Sequence, residues 1–167
     1  MIQVYTGCGK GKTTAALGLA LRAAGAGLKV YIGQFIKGEL YSELKALKKI
    51  RNIKVEQFGR GCFIKRKVSE IDRELAKVGL RKIKVIIRKK KFNVIILDEL
   101  NTALYLNLIS LKEIVELIKQ TPKNIELVLT GRYAKSDIIR LADLVSEIKE
   151  IKHYYKKGVK ARRGIEF

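Results

Sequence analysis

Ile2-Gln3-Val4-Tyr5 runs straight into Thr6-Gly7-Cys8-Gly9-Lys10-Gly11-Lys12-Thr13-Thr14, and an alanine-rich stretch continues to Ala24. A short apolar strand, a glycine-rich turn and Gly-Lys-Thr before a helix form the pattern of a phosphate-binding P-loop. Gly7, Gly9 and Gly11 remove Cβ atoms where backbone N–H groups converge on an anion. Lys12 has the reach for terminal phosphates, and the Thr13 hydroxyl suits Mg²⁺. The following helix points its positive dipole end at the same anion. Thr6 stands where the first glycine of the usual spacing belongs.

With 167 residues and a hydrophobic fraction of 47%, the chain is expected to form one domain, 1–167, without disulfides or structural metals. No apolar run approaches the ~20 residues needed to cross a bilayer. The first strand is expected to begin at Ile2, so no secretory signal is expected ahead of the P-loop. Cys8 and Cys62 have no metal-ligand spacing, and Cys8 lies inside the phosphate loop, so a reducing cytoplasm is expected. Lys and Arg total 36 against 16 acids, a net charge of +20, crowded into residues 45–91. Such a surplus suits a polyanion partner. The aromatics that stack on bases are not interleaved with the basic runs, however, and there is no Trp. A lysine-rich solvated surface is the preferred explanation, with nucleic acid an unlikely partner.

Short continuous apolar runs alternate with longer amphipathic stretches, which predicts a parallel sheet between helices. The expected class is α/β, a three-layer α/β/α P-loop NTPase (RecA-like) arrangement with a mostly parallel central sheet. Strands are expected at Ile2–Tyr5, Lys29–Gln34, Lys54–Gln57, Val94–Leu97, Glu126–Leu129 and Leu144–Ile148. Helices are expected at Lys12–Ala24, Ser42–Lys48, Ser69–Lys90, Leu111–Gln120 and Ala134–Leu141, with Ser69 and Asp72 marking an N-terminus. Residues 152–167 read as irregular. Ligands of open α/β sheets sit at the carboxyl ends of the strands, where the P-loop, Phe35–Gly38, Asp98-Glu99 and Thr130-Gly131-Arg132 all fall.

Val94-Ile95-Ile96-Leu97-Asp98-Glu99 is a buried strand ending in two acids, the Walker B pattern. Thr13 and one of Asp98 or Glu99 would share a Mg²⁺ ion, which prefers carboxylate and phosphate oxygens. On these residues alone, simple ATP hydrolysis is favoured, the second acid orienting a water. Arg132 is a candidate anion partner or a surface arginine. His153, the single histidine, reads equally as structural or functional.

Taken together, the motifs resemble the P-loop type of ATP:corrinoid adenosyltransferases. The match runs through Tyr5-Thr6-Gly7, Gly9 to Ala16, Gly18 to Ala23, Gln34-Phe35-Ile36-Lys37-Gly38, Leu97-Asp98-Glu99 and Leu129-Thr130-Gly131-Arg132. It continues through Ala142 to Glu147, Ile151-Lys152-His153, Gly158, Ala161 and Gly164-Ile165-Glu166, in order along essentially the whole chain. Thr6 is normal in that family.

The resemblance implies that Co(I) of a reduced corrinoid attacks the 5′ carbon of ATP and triphosphate leaves, in adenosylcobalamin synthesis or salvage. Lys12, Thr13 and Glu99 would be the catalytic residues. Thr13 and Glu99 would ligate Mg²⁺, with Asp98 beside them. Gly7, Cys8, Gly9, Lys10, Gly11, Lys12, Thr13, Thr14 and Arg132 would hold ATP. Cys8 departs from the Asn or acid common at its position. Gly59-Arg60-Gly61-Cys62-Phe63-Ile64 aligns with a loop whose aromatics crowd the lower face of the corrinoid, so Cys62, Phe63 and Ile64 would line that substrate. A reducing flavoprotein or other low-potential donor and a homodimer are further family expectations. The rival readings are an ATPase or kinase acting without corrinoid, and a basic nucleic-acid-binding P-loop protein.

Overall fold

The computed structural model describes residues 1–39, 41–60 and 68–167. Among the described residues, six strands form one all-parallel sheet: β1 (Ile2–Thr6), β2 (Val30–Phe35), β3 (Ile53–Phe58), β4 (Val94–Asp98), β5 (Glu126–Thr130) and β6 (Leu144–Glu147). Their spatial order is β3-β2-β4-β5-β1-β6. The expected α/β architecture is present, and the sheet is parallel throughout. The helices are α1 (Lys12–Gly25), α2 (Ser42–Leu47), α3 (Glu70–Lys89), α4 (Leu100–Tyr105), α5 (Leu111–Gln120) and α6 (Ser136–Leu141). Among the described residues, no helix is long and apolar enough to cross a membrane.

The central strands are apolar on both faces because helices cover both. Ala16, Ala20 and Ala23 of α1 lie on one face against Val30, Ile32, Val94, Ile96 and Val128. Alternate residues Tyr31, Ile95, Leu97, Leu127 and Leu129 face the other core, which α3 to α6 close. Short alanine side chains let α1 lie close to the sheet, so the P-loop ahead of it is held near the strand ends. On the opposite face, Gly79 gives α3 room against Phe58, whose ring carbon would lie 2.5 Å from a Cβ there.

The helix ends follow local chemistry. Asp72 Oδ2 accepts from the Ser69 backbone N–H at 2.9 Å and from its hydroxyl at 2.8 Å, fixing the start of α3. After α1, Gly27 adopts φ 79°, the Leu28 N–H reaches the Ala23 carbonyl and the Gly27 N–H the Ala24 carbonyl. That is the glycine stop expected of Gly25-Ala26-Gly27.

Two elements differ from expectation. Helix α4 starts directly after the two acids, and four of its six residues (Leu100, Asn101, Ala103 and Leu104) are buried. It therefore carries no amphipathic period to betray it. Within the tail, Tyr154–Lys157 forms a 3₁₀ turn, capped by His153 Nδ1 accepting from the Tyr155 N–H at 3.1 Å.

Candidate active site

Glycine in the P-loop serves two ends. Gly7 has φ 99°, and a Cβ there would lie 2.4 Å from the Ile148 carbonyl oxygen. A Cβ on Gly9 would lie 2.7 Å from the Lys149 carbonyl oxygen, and the Gly9 N–H donates to the Ile148 carbonyl at 2.7 Å. These two glycines thus admit the chain leaving β6, rather than only freeing amides for an anion. Gly11, at φ 122°, has open space where its Cβ would stand and lines the cleft. Lys12 is buried and donates to the Gly9 carbonyl at 2.7 Å. Burial pushes its ammonium below the usual lysine value; Glu99 opposes this and Arg132 adds to it.

A cleft of about 680 Å³ opens above the loop. Its floor is Gly9 to Thr14, and Lys37, Glu99, Arg132 and His153 line its sides. Gly164 to Phe167 of the tail complete the wall.

Below the floor, the Asp98 carboxylate is 1% exposed and accepts four hydrogen bonds. Thr13 Oγ1 at 2.9 Å and Thr130 Oγ1 at 2.7 Å donate to Oδ1. Lys37 Nζ at 2.9 Å and Gln34 Nε2 at 3.3 Å donate to Oδ2. Gln34 faces Asp98 because the two are register partners in adjacent strands. Lys37 Nζ also lies 3.4 Å from Thr13 Oγ1. Burial alone would lower the Lys37 pKa, but the charge and hydrogen bond of Asp98 carry it above the ordinary value.

Glu99 caps α4 in a left-handed conformation, φ 60°. Its N–H donates to Thr130 Oγ1 at 3.0 Å, so one buried hydroxyl ties both acids to the end of β5. Its Oε2 accepts from Thr102 Oγ1, which in turn accepts the Arg132 N–H at 3.1 Å. Gly131 is needed here: at φ 130° a Cβ would lie 2.8 Å from the Thr102 nitrogen.

The tail docks on the loop. Lys10 Nζ donates to Glu166 Oε1 and to Tyr154 Oη, each at 2.7 Å, and Tyr154 Oη also donates to Glu166 Oε1. The Arg162 N–H reaches Glu166 Oε2 at 2.6 Å, and the Arg162 guanidinium sits 4.8 Å from the Tyr154 ring centre. Ser42 Oγ holds the Phe167 carbonyl at 3.0 Å.

A family model described as ATP:corrinoid adenosyltransferase BtuR/CobO/CobP matches residues 1–167. The chain belongs to that family. A corrinoid adenosyltransferase of Sinorhizobium sp. is 37% identical over all of this chain and 80% of its own length. One from Escherichia coli K12 is 34% identical over all of this chain and 85% of its own. Corrinoid adenosyltransferase CobA of Salmonella typhimurium is 33% identical with the same coverage.

In this adenosyltransferase the cleft gathers Gly9, Lys10, Gly11, Lys12, Thr13, Thr14, Glu99 and Arg132 of the expected site residues. Asp98 lies beneath, reached through Thr13. Gly7 packs on Ile148, and Cys8 is an exposed free thiol; neither lines the cleft. Cys62, Phe63 and Ile64 lie outside the described residues. Sequence reasoning gave no site role to Lys37, Thr102, Thr130, Tyr154 or Glu166. Thr130, Lys37 and Glu166 stand in the blocks that carry the resemblance, which was the available signal.

Proposed function

We propose that residues 1–167 act as one domain that transfers the 5′-deoxyadenosyl group of ATP to the Co(I) of a reduced corrinoid and releases triphosphate. The cobalt electron pair forms the Co–C bond, and the C5′–O bond breaks toward the triphosphate. The observation that carries this reading is the family match along the whole chain, with its P-loop and tail meeting in one cleft. The site chemistry is consistent with it. Co(I) needs no general base.

Charge grows on the leaving triphosphate, so donors aimed at it lower the barrier. Lys12 needs only to exchange the Gly9 carbonyl for a phosphate oxygen. Lys10 and Arg132 line the same cleft and add positive charge. The Thr13 hydroxyl and the Asp98 and Glu99 carboxylates form a hard oxygen set of the kind Mg²⁺ takes together with phosphates, and a cation, the Lys37 ammonium, already sits between Thr13 and Asp98. Mg²⁺ bound there would neutralise triphosphate charge.

By the family resemblance, Cys62 and Ile64 stand at the positions of the aromatics that meet the corrinoid's lower face. Corrinoids with a weak or absent lower ligand are then favoured, because Cys62 and Ile64 are smaller than the aromatics usual at those two positions. A flavoprotein or other low-potential donor supplies the reduced cobalt in a reducing cytoplasm. A homodimer is consistent with the exposed Leu144 and Val145 on edge strand β6.

The test is strictly anaerobic incubation with ATP, Mg²⁺ and chemically reduced corrinoid. A cobalt–carbon absorption spectrum with stoichiometric triphosphate is expected. ADP and orthophosphate without adenosylated product would overturn the reading.

A further inference from the structure

Lys37 has a position that neither the P-loop pattern nor the acid pair requires. Its ammonium contacts Asp98 Oδ2 at 2.9 Å and Thr13 Oγ1 at 3.4 Å, two oxygens that a divalent cation would use. Of the donors to Asp98 named above, it alone is charged; Thr13, Gln34 and Thr130 are neutral.

The backbone that delivers it is tightly specified. The Lys37 N–H donates to the Phe35 carbonyl at 2.7 Å around Ile36, whose φ is 69°. This is a γ-turn of the rare, strained kind, and a β-branched residue rarely occupies it. The strain persists because neighbouring chain holds it. Ile36 N–H reaches the Phe58 carbonyl at 3.3 Å, and a Cβ on Gly59 would lie 2.3 Å from the Ile36 carbonyl carbon. A Cβ on Gly38 would lie 2.3 Å from the Gly59 carbonyl oxygen. Two glycines and a strained isoleucine therefore fix where the Lys37 stem begins.

The other end of that stem borders the cleft. Lys37 lines the nucleotide cleft, with its ammonium 5.4 Å from the centre of the Tyr41 ring. A four-carbon stem allows the ammonium to swing from the cleft floor to a ligand above it. It cannot stay beside Asp98 when a second cation takes those oxygens, since like charges at contact distance repel strongly in a buried site.

We infer that Lys37 is the resident counter-cation of the Thr13–Asp98 pair, and that it gives up Asp98 to an entering divalent cation and turns to the nucleotide phosphates. This rests on the reading of Thr13, Asp98 and Glu99 as metal ligands. Lys37 thereby makes metal entry costly without nucleotide and favourable with it, coupling the two ligands.

The experiment uses Mn²⁺ as the probe, with free Mn²⁺ read by electron paramagnetic resonance on the full chain, without corrinoid. Lys37→Met and Lys37→Gln are compared with wild type, with and without ATP, after thermal melts confirm folding. Without ATP, both variants are expected to bind Mn²⁺ roughly tenfold more tightly than wild type. The tightening that ATP produces in wild type is expected to shrink by a similar factor. Lys37→Gln keeps an amide donor for Asp98, so it tests the charge even where Lys37→Met folds poorly. Unchanged or weaker Mn²⁺ binding in a folded Lys37 variant, with full ATP coupling retained, would overturn the inference. Asp98→Asn and Thr13→Ala separate the two levels: if both keep wild-type Mn²⁺ affinity, the metal-ligand reading fails and the counter-cation role falls with it. If either loses Mn²⁺ while the Lys37 variants behave as wild type, only the counter-cation role is refuted.

Discussion

Lys10 in the phosphate loop donates to Glu166 in the C-terminal tail at 2.7 Å, joining residues 156 positions apart. The glycine-rich loop is thus also the dock for the tail, and under the proposed function Glu166 would compete with a phosphate for the same ammonium. Lys10, Tyr154 and Arg162 all donate to this one carboxylate.

The tail should detach on acidification, and only well below the usual range for a glutamate. Hydrogen bonds from Lys10 first, then Tyr154 and Arg162, outweigh desolvation and hold the Glu166 carboxyl far below its ordinary 4.5. A depressed carboxylate contributes its stabilisation in full above its unfolded value and loses it as pH falls through the folded one. The protection of residues 158–167 against hydrogen exchange, relative to unstructured chain at the same pH, should therefore persist at pH 4.5 and fall only at more acidic pH. Glu166→Gln should exchange several-fold faster already at neutral pH. Equal protection in the variant would disprove the latch.

Lys12→Ala should lower kcat/KM by about 10²–10³ through lost stabilisation of the leaving group. A second signature comes from its burial. The Lys12 ammonium lies below its ordinary 10.5, and a bound phosphate raises it again. ATP binding in the alkaline range just below 10.5 should then take up protons, seen as a buffer-dependent heat in calorimetry. Lys12→Ala should abolish that dependence.

The parts of this fold that were legible share one property: their cause is local. β4 shows as an unbroken apolar run because helices cover both its faces, and α3 announces itself through Ser69 and Asp72, three residues apart. Lys12, Thr13 and Asp98 sit in patterns whose spacing carries the chemistry. α4 escaped because a short helix buried on most sides has no polar face to set its period. Lys37 escaped for another reason. Its place depends on a strained turn at Ile36 and on the passage of Gly59, a strand away, and neither leaves a periodic trace. Gly7 and Gly9 were read as serving an anion, whereas their tightest neighbours are Ile148 and Lys149 from the far end of the chain.

Gly59→Ala tests that long-range control. Its Cβ would fall 2.3 Å from the Ile36 backbone, which has no flexible end to give way. The turn must open, and Lys37 must leave Asp98. The variant should lose about 1–3 kcal/mol of stability in denaturant melts, as overpacked sites do. Mn²⁺ binding without ATP should shift in the same direction as in Lys37→Gln. Wild-type Mn²⁺ behaviour in this variant would show that the ammonium reaches Asp98 without the turn.

Thr102 joins two parts of the site without lining the cleft. Its hydroxyl donates to Glu99 Oε2 and accepts the Arg132 N–H, so it fixes the acid after β4 relative to the loop after β5. Thr102→Val keeps the shape and removes both bonds. The Glu99 carboxylate and the Arg132 backbone are then free to rotate away from the positions that the proposed triphosphate and metal contacts would need. Lost outer-shell support of this kind costs about 10–100-fold in activity or metal affinity. Melting should change little, because the helix keeps its buried Leu100, Ala103 and Leu104. Thr102→Ser restores the hydroxyl and should recover most of the rate and the Mn²⁺ affinity. If Thr102→Val and Thr102→Ser fall equally, the methyl group's packing matters rather than the hydrogen bonds, and the positioning role is wrong.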